Sequence, residues 1–260
     1  MSLTRSRLAV FLPVLAICTA LTVWGYRAAQ NAPYGAADQF YGVWRSDAID
    51  RAPVGVDDAN IFFVYGRNLA AGEGLVWSEG GERVEGYSST LWLAIVTPLF
   101  KLGLPVEKAL TILGVLLTAA VLTLLGLEVG RQLRSAGAAT AWLGGAAVIV
   151  WSLAVPGYLV WCCLTLMETG LWSAVLIVAT AVVLAEIRGE GQRPRHRRAM
   201  GFLVVALLLT RPEGMLWAGF FAALYAGAIA LRDRDWRGAL GSFGILVAIY
   251  VATLATLTAF

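Results

Sequence analysis

The feature that most constrains this chain is an alternation: long apolar runs without a single charge, separated by short clusters of arginine. Leu8 to Tyr26, Ala109 to Leu127, Ala138 to Val155, Leu171 to Ala185, Met200 to Leu209, Met215 to Leu231 and Leu240 to Thr258 are all uncharged. A run near 18 residues reads as a helix that crosses a bilayer. Only 14% of the 260 residues are charged and the mean hydropathy is +0.73, whereas a water-coated domain needs nearer a quarter charged. The expected fold is therefore an all-α polytopic membrane protein, a single transmembrane domain over residues 1–260. The net charge of +3 is no nucleic-acid signal, because the basic residues sit between apolar runs as in cytoplasmic loops. Cys18, Cys162 and Cys163 fall in or beside apolar runs, where cysteine acts as a small hydrophobe. His196, the one histidine, lies in an arginine-rich segment read as a loop, which argues against a metal site.

The run 8–26 follows Arg5 and Arg7. It is long for a signal-peptide core and reads as a retained first helix with a cytoplasmic N-terminus. The chain then turns polar from Arg27 to Ser88, and this loop holds nine of the 17 acidic residues. Residues 89–260 return to apolar runs. Leu91 to Phe100 is too short to span and is expected to be re-entrant or interfacial. If residues 89–127 cross once, the clusters at Arg131, Arg188–Arg198 and Arg232–Arg237 are all cytoplasmic. The turns at Pro156–Glu168 and Arg211–Gly214 then face outside, with the acidic loop.

In that loop, Asp57-Asp58 precedes Ala59 to Ala71, and Gly72 follows as a stop signal. Ile61, Tyr65 and Leu69 recur every four residues and predict a short amphipathic helix on the outer membrane face. Acids before a helix are ordinary caps, Arg67 an ordinary interfacial cation, and Tyr65, Trp77, Tyr87 and Trp92 an ordinary aromatic belt. Glu168, Arg211 and Glu213 put charge inside apolar sequence. Such groups pair or line a polar cavity, since an ionisable group at membrane depth costs a few kcal/mol. Arg211 and Glu213 can pair with each other in their turn. The functional alternative is that Glu168, Arg211 and Glu213 converge with the acidic loop on one external cavity.

Several motifs, in order, resemble those of GT-C superfamily membrane glycosyltransferases. They are Asp57-Asp58, Tyr65-Gly66-Arg67-Asn68-Leu69, Gly72-Glu73-Gly74-Leu75-Val76, Glu82-Arg83-Val84-Glu85-Gly86-Tyr87, Met167-Glu168-Thr169 and Arg211-Pro212-Glu213-Gly214. The branch most similar contains the actinobacterial terminal arabinofuranosyltransferases, and the resemblance covers roughly residues 8–231. It implies a GT-C helical bundle in a bacterial inner membrane, with its catalytic loop outside. The implied reaction is transfer of a sugar, arabinofuranose by resemblance, from a polyprenyl-phosphate donor to a cell-envelope glycan or lipid acceptor. It implies Asp57 or Asp58 as general base, Arg67 and Arg211 on the donor phosphate, and Tyr65, Glu85, Tyr87, Glu168 and Glu213 around the substrates. No metal is required, although a divalent cation bridging Asp57 and Asp58 is compatible with the pattern. Enzymes of this kind continue into further helices, so the chain is expected to be the N-terminal part of a longer protein. The alternatives are a transporter or channel using Glu168, Arg211 and Glu213, and a non-catalytic scaffold of GT-C descent.

Overall fold

A computed structural model gives the structure of residues 3–31, 58–78, 80–84, 86–155, 157–190 and 193–258. Asp57 and Glu85 lie outside these described residues. About 83% of the structure is helical. No strand forms among the described residues, where one isolated bridge joins Val76 to Arg83. The helices are α1 (Leu3–Asn31), α2 (Ala59–Ala71), α3 (Thr90–Lys101), α4 (Val106–Gln132), α5 (Ala138–Ala154), α6 (Thr169–Ile187), α7 (Arg193–Thr210), α8 (Gly214–Asp233) and α9 (Trp236–Thr258). Five of them, α1, α4, α6, α8 and α9, are long and apolar enough to cross a membrane. The protein is an all-α membrane protein.

Two expected spans fall short of that standard. Helix α5 has 17 residues, and α7 starts inside the basic segment, so that Arg193, Arg195, His196, Arg197 and Arg198 are its first turns rather than a loop. Helix α3 has 12 residues, about 18 Å at 1.5 Å per residue, against a hydrocarbon core of about 30 Å. It does not span, as its length in the sequence implied.

The described helices form two compact units, Met1–Tyr87 with Trp92–Ala174 and Ser88–Leu91 with Val175–Phe260. In the first, α1 packs along α4, and α4 packs along α5. Val10 near the start of α1 shares a cavity wall with Gly126, Gly130 and Arg131 near the end of α4, so the two helices run antiparallel. The Arg5–Arg7 end of α1 and the Arg131–Arg134 end of α4 therefore share one membrane face, the arrangement that a single crossing by residues 89–127 requires. Small residues let α4 and α5 touch backbone to backbone: a Cβ on Gly145 would stand 2.5 Å from the Gly126 carbonyl oxygen. Such close approach is how helices associate in lipid, where burying apolar surface supplies no drive.

One expectation is corrected. Residues 157–168, read as a turn between spans, form a largely buried plug with a π-helical turn at Val160–Leu164. Cys162, Cys163, Leu164, Thr165, Leu166 and Glu168 are all buried. The segment is apolar, and Gly114 and Gly170 admit its backbone: a Cβ on Gly114 would meet the Cys162 carbonyl oxygen at 2.6 Å. Cys18 of α1 packs in the same cluster as Cys162 and Cys163, and all three are free thiols.

In the second unit α7, α8 and α9 pack against one another. Their core includes Met200, Val204, Leu207, Phe221, Tyr225, Ile229 and Leu246.

Candidate functional site

Helix α2 is the platform of the candidate site. Asp58, not Asp57, takes its N-cap position, and Gly72 ends it in the left-handed conformation with φ 90°. The Gly72 and Glu73 amides then close back on the Leu69 and Asn68 carbonyls, at 3.2 and 3.0 Å. This is the glycine stop that satisfies the last orphan carbonyls of a helix.

The buried face of α2 differs from the expected stripe. Ala59, Phe62, Phe63, Tyr65, Gly66 and Asn68 are buried, while Leu69 is 37% exposed. The reason is Gly66. A Cβ there would stand 2.8 Å from Val96 Cγ1, so glycine lets α3 approach and draws the adjacent face inward. Phe63 meets Phe100 of α3 edge to face, with centroids 6.2 Å apart. Helix α2 is thus built into an apolar cluster with Trp92, Leu93, Val96, Leu110 and Leu166.

Two polar residues of α2 hold the following loop. Tyr65, 1% exposed, donates its hydroxyl to the Val84 carbonyl at 2.7 Å and packs edge-on against Trp77 and Tyr87. Asn68 donates to the Val76 and Trp77 carbonyls at 2.8 and 3.2 Å. The Tyr65 hydroxyl positions the loop, and the half-buried Tyr87 is the aromatic group the loop presents above it.

Asp58 is exposed and makes no side-chain capping hydrogen bond. Its carboxylate is therefore not spent on the helix end, where acids usually serve. Arg67 is exposed, with no acidic partner among the described residues. It lies nine positions after Asp58, which is half a revolution round the helix and about 13–14 Å along it. The structure does not bring these two groups together.

Glu168 is fully buried, at 0% exposure. Its turn is anchored in the α2 cluster through Leu166, Met167 and Leu171, and the Trp92 indole donates to the Leu166 carbonyl at 3.1 Å. Leu166 has φ 60°, a left-handed conformation that costs a side-chain-bearing residue roughly 1–2 kcal/mol. Ala59 belongs to this cluster too, so the Asp58 end of α2 and the Glu168 turn stand on one foundation. Arg211 and Glu213 belong to the second unit and pair with each other at 2.8 Å (Nε to Oε1), as their spacing allowed.

The sequence reading overlooked Glu186. It is 0% exposed near the end of α6, and it receives His196 Nδ1 at 2.8 Å and Arg232 Nη1 at 3.0 Å, with Arg193 Nε at 3.8 Å. Arg193 also pairs with Asp233 and, at 3.0 Å, with Asp235. The signal was a lone carboxylate one residue past an uncharged run of 15, opposite the basic turns of α7.

Among the described residues no group of three or more His, Cys, Asp or Glu could hold a metal ion. Asp58 supplies at most two oxygens, whereas a hard divalent cation takes six or more ligands, so the described residues do not complete such a site. No family model matches the chain, and neither a curated protein nor a solved structure is similar to it.

Proposed function

We propose that the chain is a GT-C-type glycosyltransferase that moves a sugar from a polyprenyl-phosphate donor to a cell-envelope glycan or lipid acceptor. On this reading α2 and its loop face the outside of a bacterial cytoplasmic membrane. The observation that carries it is the exposed Asp58 carboxylate, unspent on capping and fixed on a helix rooted in the core. This stands beside the ordered set of motifs that resembles the superfamily. The acceptor hydroxyl attacks the anomeric carbon, the bond from that carbon to the phosphate oxygen breaks, and polyprenyl phosphate leaves as an anion. The hydroxyl proton passes to the Asp58 carboxylate, or to Asp57, with the other acid orienting the base. General-base assistance of this kind contributes roughly 10²–10⁴-fold.

Arg67, on the far side of α2, is too distant to hold the phosphate that leaves beside Asp58. It is better suited to a lipid phosphate at the membrane surface. Arg211 is the second phosphate ligand that the motifs name, and Arg211→Gln tests that role on its own. Membranes carrying the chain, supplied with polyprenyl-phosphate arabinofuranose and acceptor, should transfer sugar. The double variant Asp57→Asn, Asp58→Asn should insert normally and lose transfer. Full activity in that variant would refute the proposal.

A further inference from the structure

A cavity of about 550 Å³ opens between α1, α4 and α5, at the end of α4 remote from α2. Val10, Gly126, Gly145 and Trp142 form its apolar walls, and Arg131 and Arg134 stand at its rim. The cavity exists because the α4–α5 seam is made of residues too small to fill the angle left by α1. Trp142 is 63% exposed on its wall. In a bilayer the occupant of an apolar recess this size is hydrocarbon, since water would find few polar partners there.

The rim selects the head group. Arg131 pairs with Glu128 at 3.4 Å, and Gln132 donates to the other oxygen of that carboxylate at 3.2 Å. Arg134 is exposed and has no acidic partner among the described residues. Arg131 and Arg134 against the one carboxylate of Glu128 leave an excess of positive charge at the mouth of an apolar recess. Leu110, in the α2 cluster, and Gly130, at the cavity, are 20 residues apart on α4. That is about 30 Å, the thickness of the hydrocarbon core. The cavity and the α2 platform thus belong to opposite leaflets, and the recess is no part of the proposed catalytic site.

We infer that this recess binds one bilayer phospholipid with an anionic head group, an acyl chain lying against Gly126 and Trp142 and the phosphate on Arg131 and Arg134. Arginine forks match phosphate oxygens, and basic side chains at this depth favour anionic over neutral head groups.

Trp142 supplies the readout. The whole chain is reconstituted in phosphatidylcholine vesicles doped with phosphatidylglycerol or phosphatidylcholine brominated on the acyl chain. The Trp142 signal is isolated as the difference from Trp142→Phe. Brominated phosphatidylglycerol should reach half-maximal quenching of that signal at roughly a tenfold lower mole fraction than brominated phosphatidylcholine, the size expected of one or two basic contacts. Arg131→Gln with Arg134→Gln should abolish the preference. Ala146→Phe, which fills the cavity from its exposed side, should abolish it with both arginines intact. Arg195→Gln, Arg197→Gln and Arg198→Gln together should leave it unchanged. Equal quenching by the two lipids in the unaltered chain overturns the inference. So does a preference that survives Ala146→Phe, or one lost with the α7 arginines. A cross-linked dimer that shields Trp142 from both lipids overturns it as well, by making a second copy the occupant.

Discussion

Glu168 and Glu186 flank the two ends of α6 and are equally buried, yet their settings are opposites. Glu186 is ringed by His196, Arg232 and Arg193. Glu168 sits in a turn whose neighbours Leu166, Met167 and Leu171 join an apolar cluster. The contrast extends outward from each. The turn that carries Glu168 and the neighbouring α2 loop are held by neutral hydrogen bonds, from Trp92 to Leu166, Tyr65 to Val84 and Asn68 to Val76. Around Glu186 the contacts are ionic, and they tie the first turns of α7 to the end of α8. A buried carboxylate among arginines ties helices together. One in a turn packed into an apolar cluster is the kind of group that lines a polar site.

The largest test removes the tie. Glu186→Ala removes the buried acceptor shared by His196, Arg232 and Arg193, while both arginines keep Asp233. It should cost about 1.5–3 kcal/mol, read as a fall in thermal stability in detergent. Equal destabilisation by Glu168→Ala would break the contrast. Glu168→Gln keeps the volume and most of the hydrogen-bonding capacity while deleting the charge. It should shift stability by less than about 1 kcal/mol, yet reduce sugar transfer in the assay that tests Asp58. Tyr65→Phe deletes one neutral hydrogen bond and should cost about 0.5–1.5 kcal/mol, with faster proteolysis of the loop at residues 76–84 as the sensitive readout.

The smallest effect is one of pH. The Gly238 amide and then Arg193 hold the Asp235 carboxyl below its usual range. With the folded pKa depressed, the stability it contributes is complete above the ordinary carboxylate pKa of about 3.9. It is lost as pH falls through the lower, folded value. Asp235→Asn should therefore flatten that part of the acid melting curve and leave neutral pH little changed.

The uncharged runs revealed the solvent and most helices, because lipid imposes its length and polarity on sequence directly. The stop at Gly72 and the short reach of residues 91–100 were legible for local reasons. The buried face of α2 was not. Ile61, Tyr65 and Leu69 have good helical spacing, and only contact with Val96 reveals that Gly66 decides which side turns inward. The plug at 157–168 was missed because an apolar segment between two helices reads as a short turn until Gly114 and Gly170 are seen to admit it. Glu186 was missed because its partners lie 7, 10 and 46 positions away, beyond any local pattern. Of the candidate site, Asp58, Arg67 and Tyr65 fall on one helix as expected. That Arg67 points away from Asp58 follows from counting 100° per residue, which the motif resemblance does not do.

The hydrogen bond from Trp92 to the Leu166 carbonyl bears on the order of synthesis. Trp92 leaves the ribosome 74 residues before its partner, and α4 and α5 are made in between. The strained turn at Leu166 gains its brace only when the short helix α3 is already seated beside α2. A chain whose α3 is displaced would still insert its long helices, since their hydropathy alone directs them. It would emerge from biogenesis spanning the membrane, with the Glu168 turn unbraced, so correct insertion is a poor proxy for a finished site.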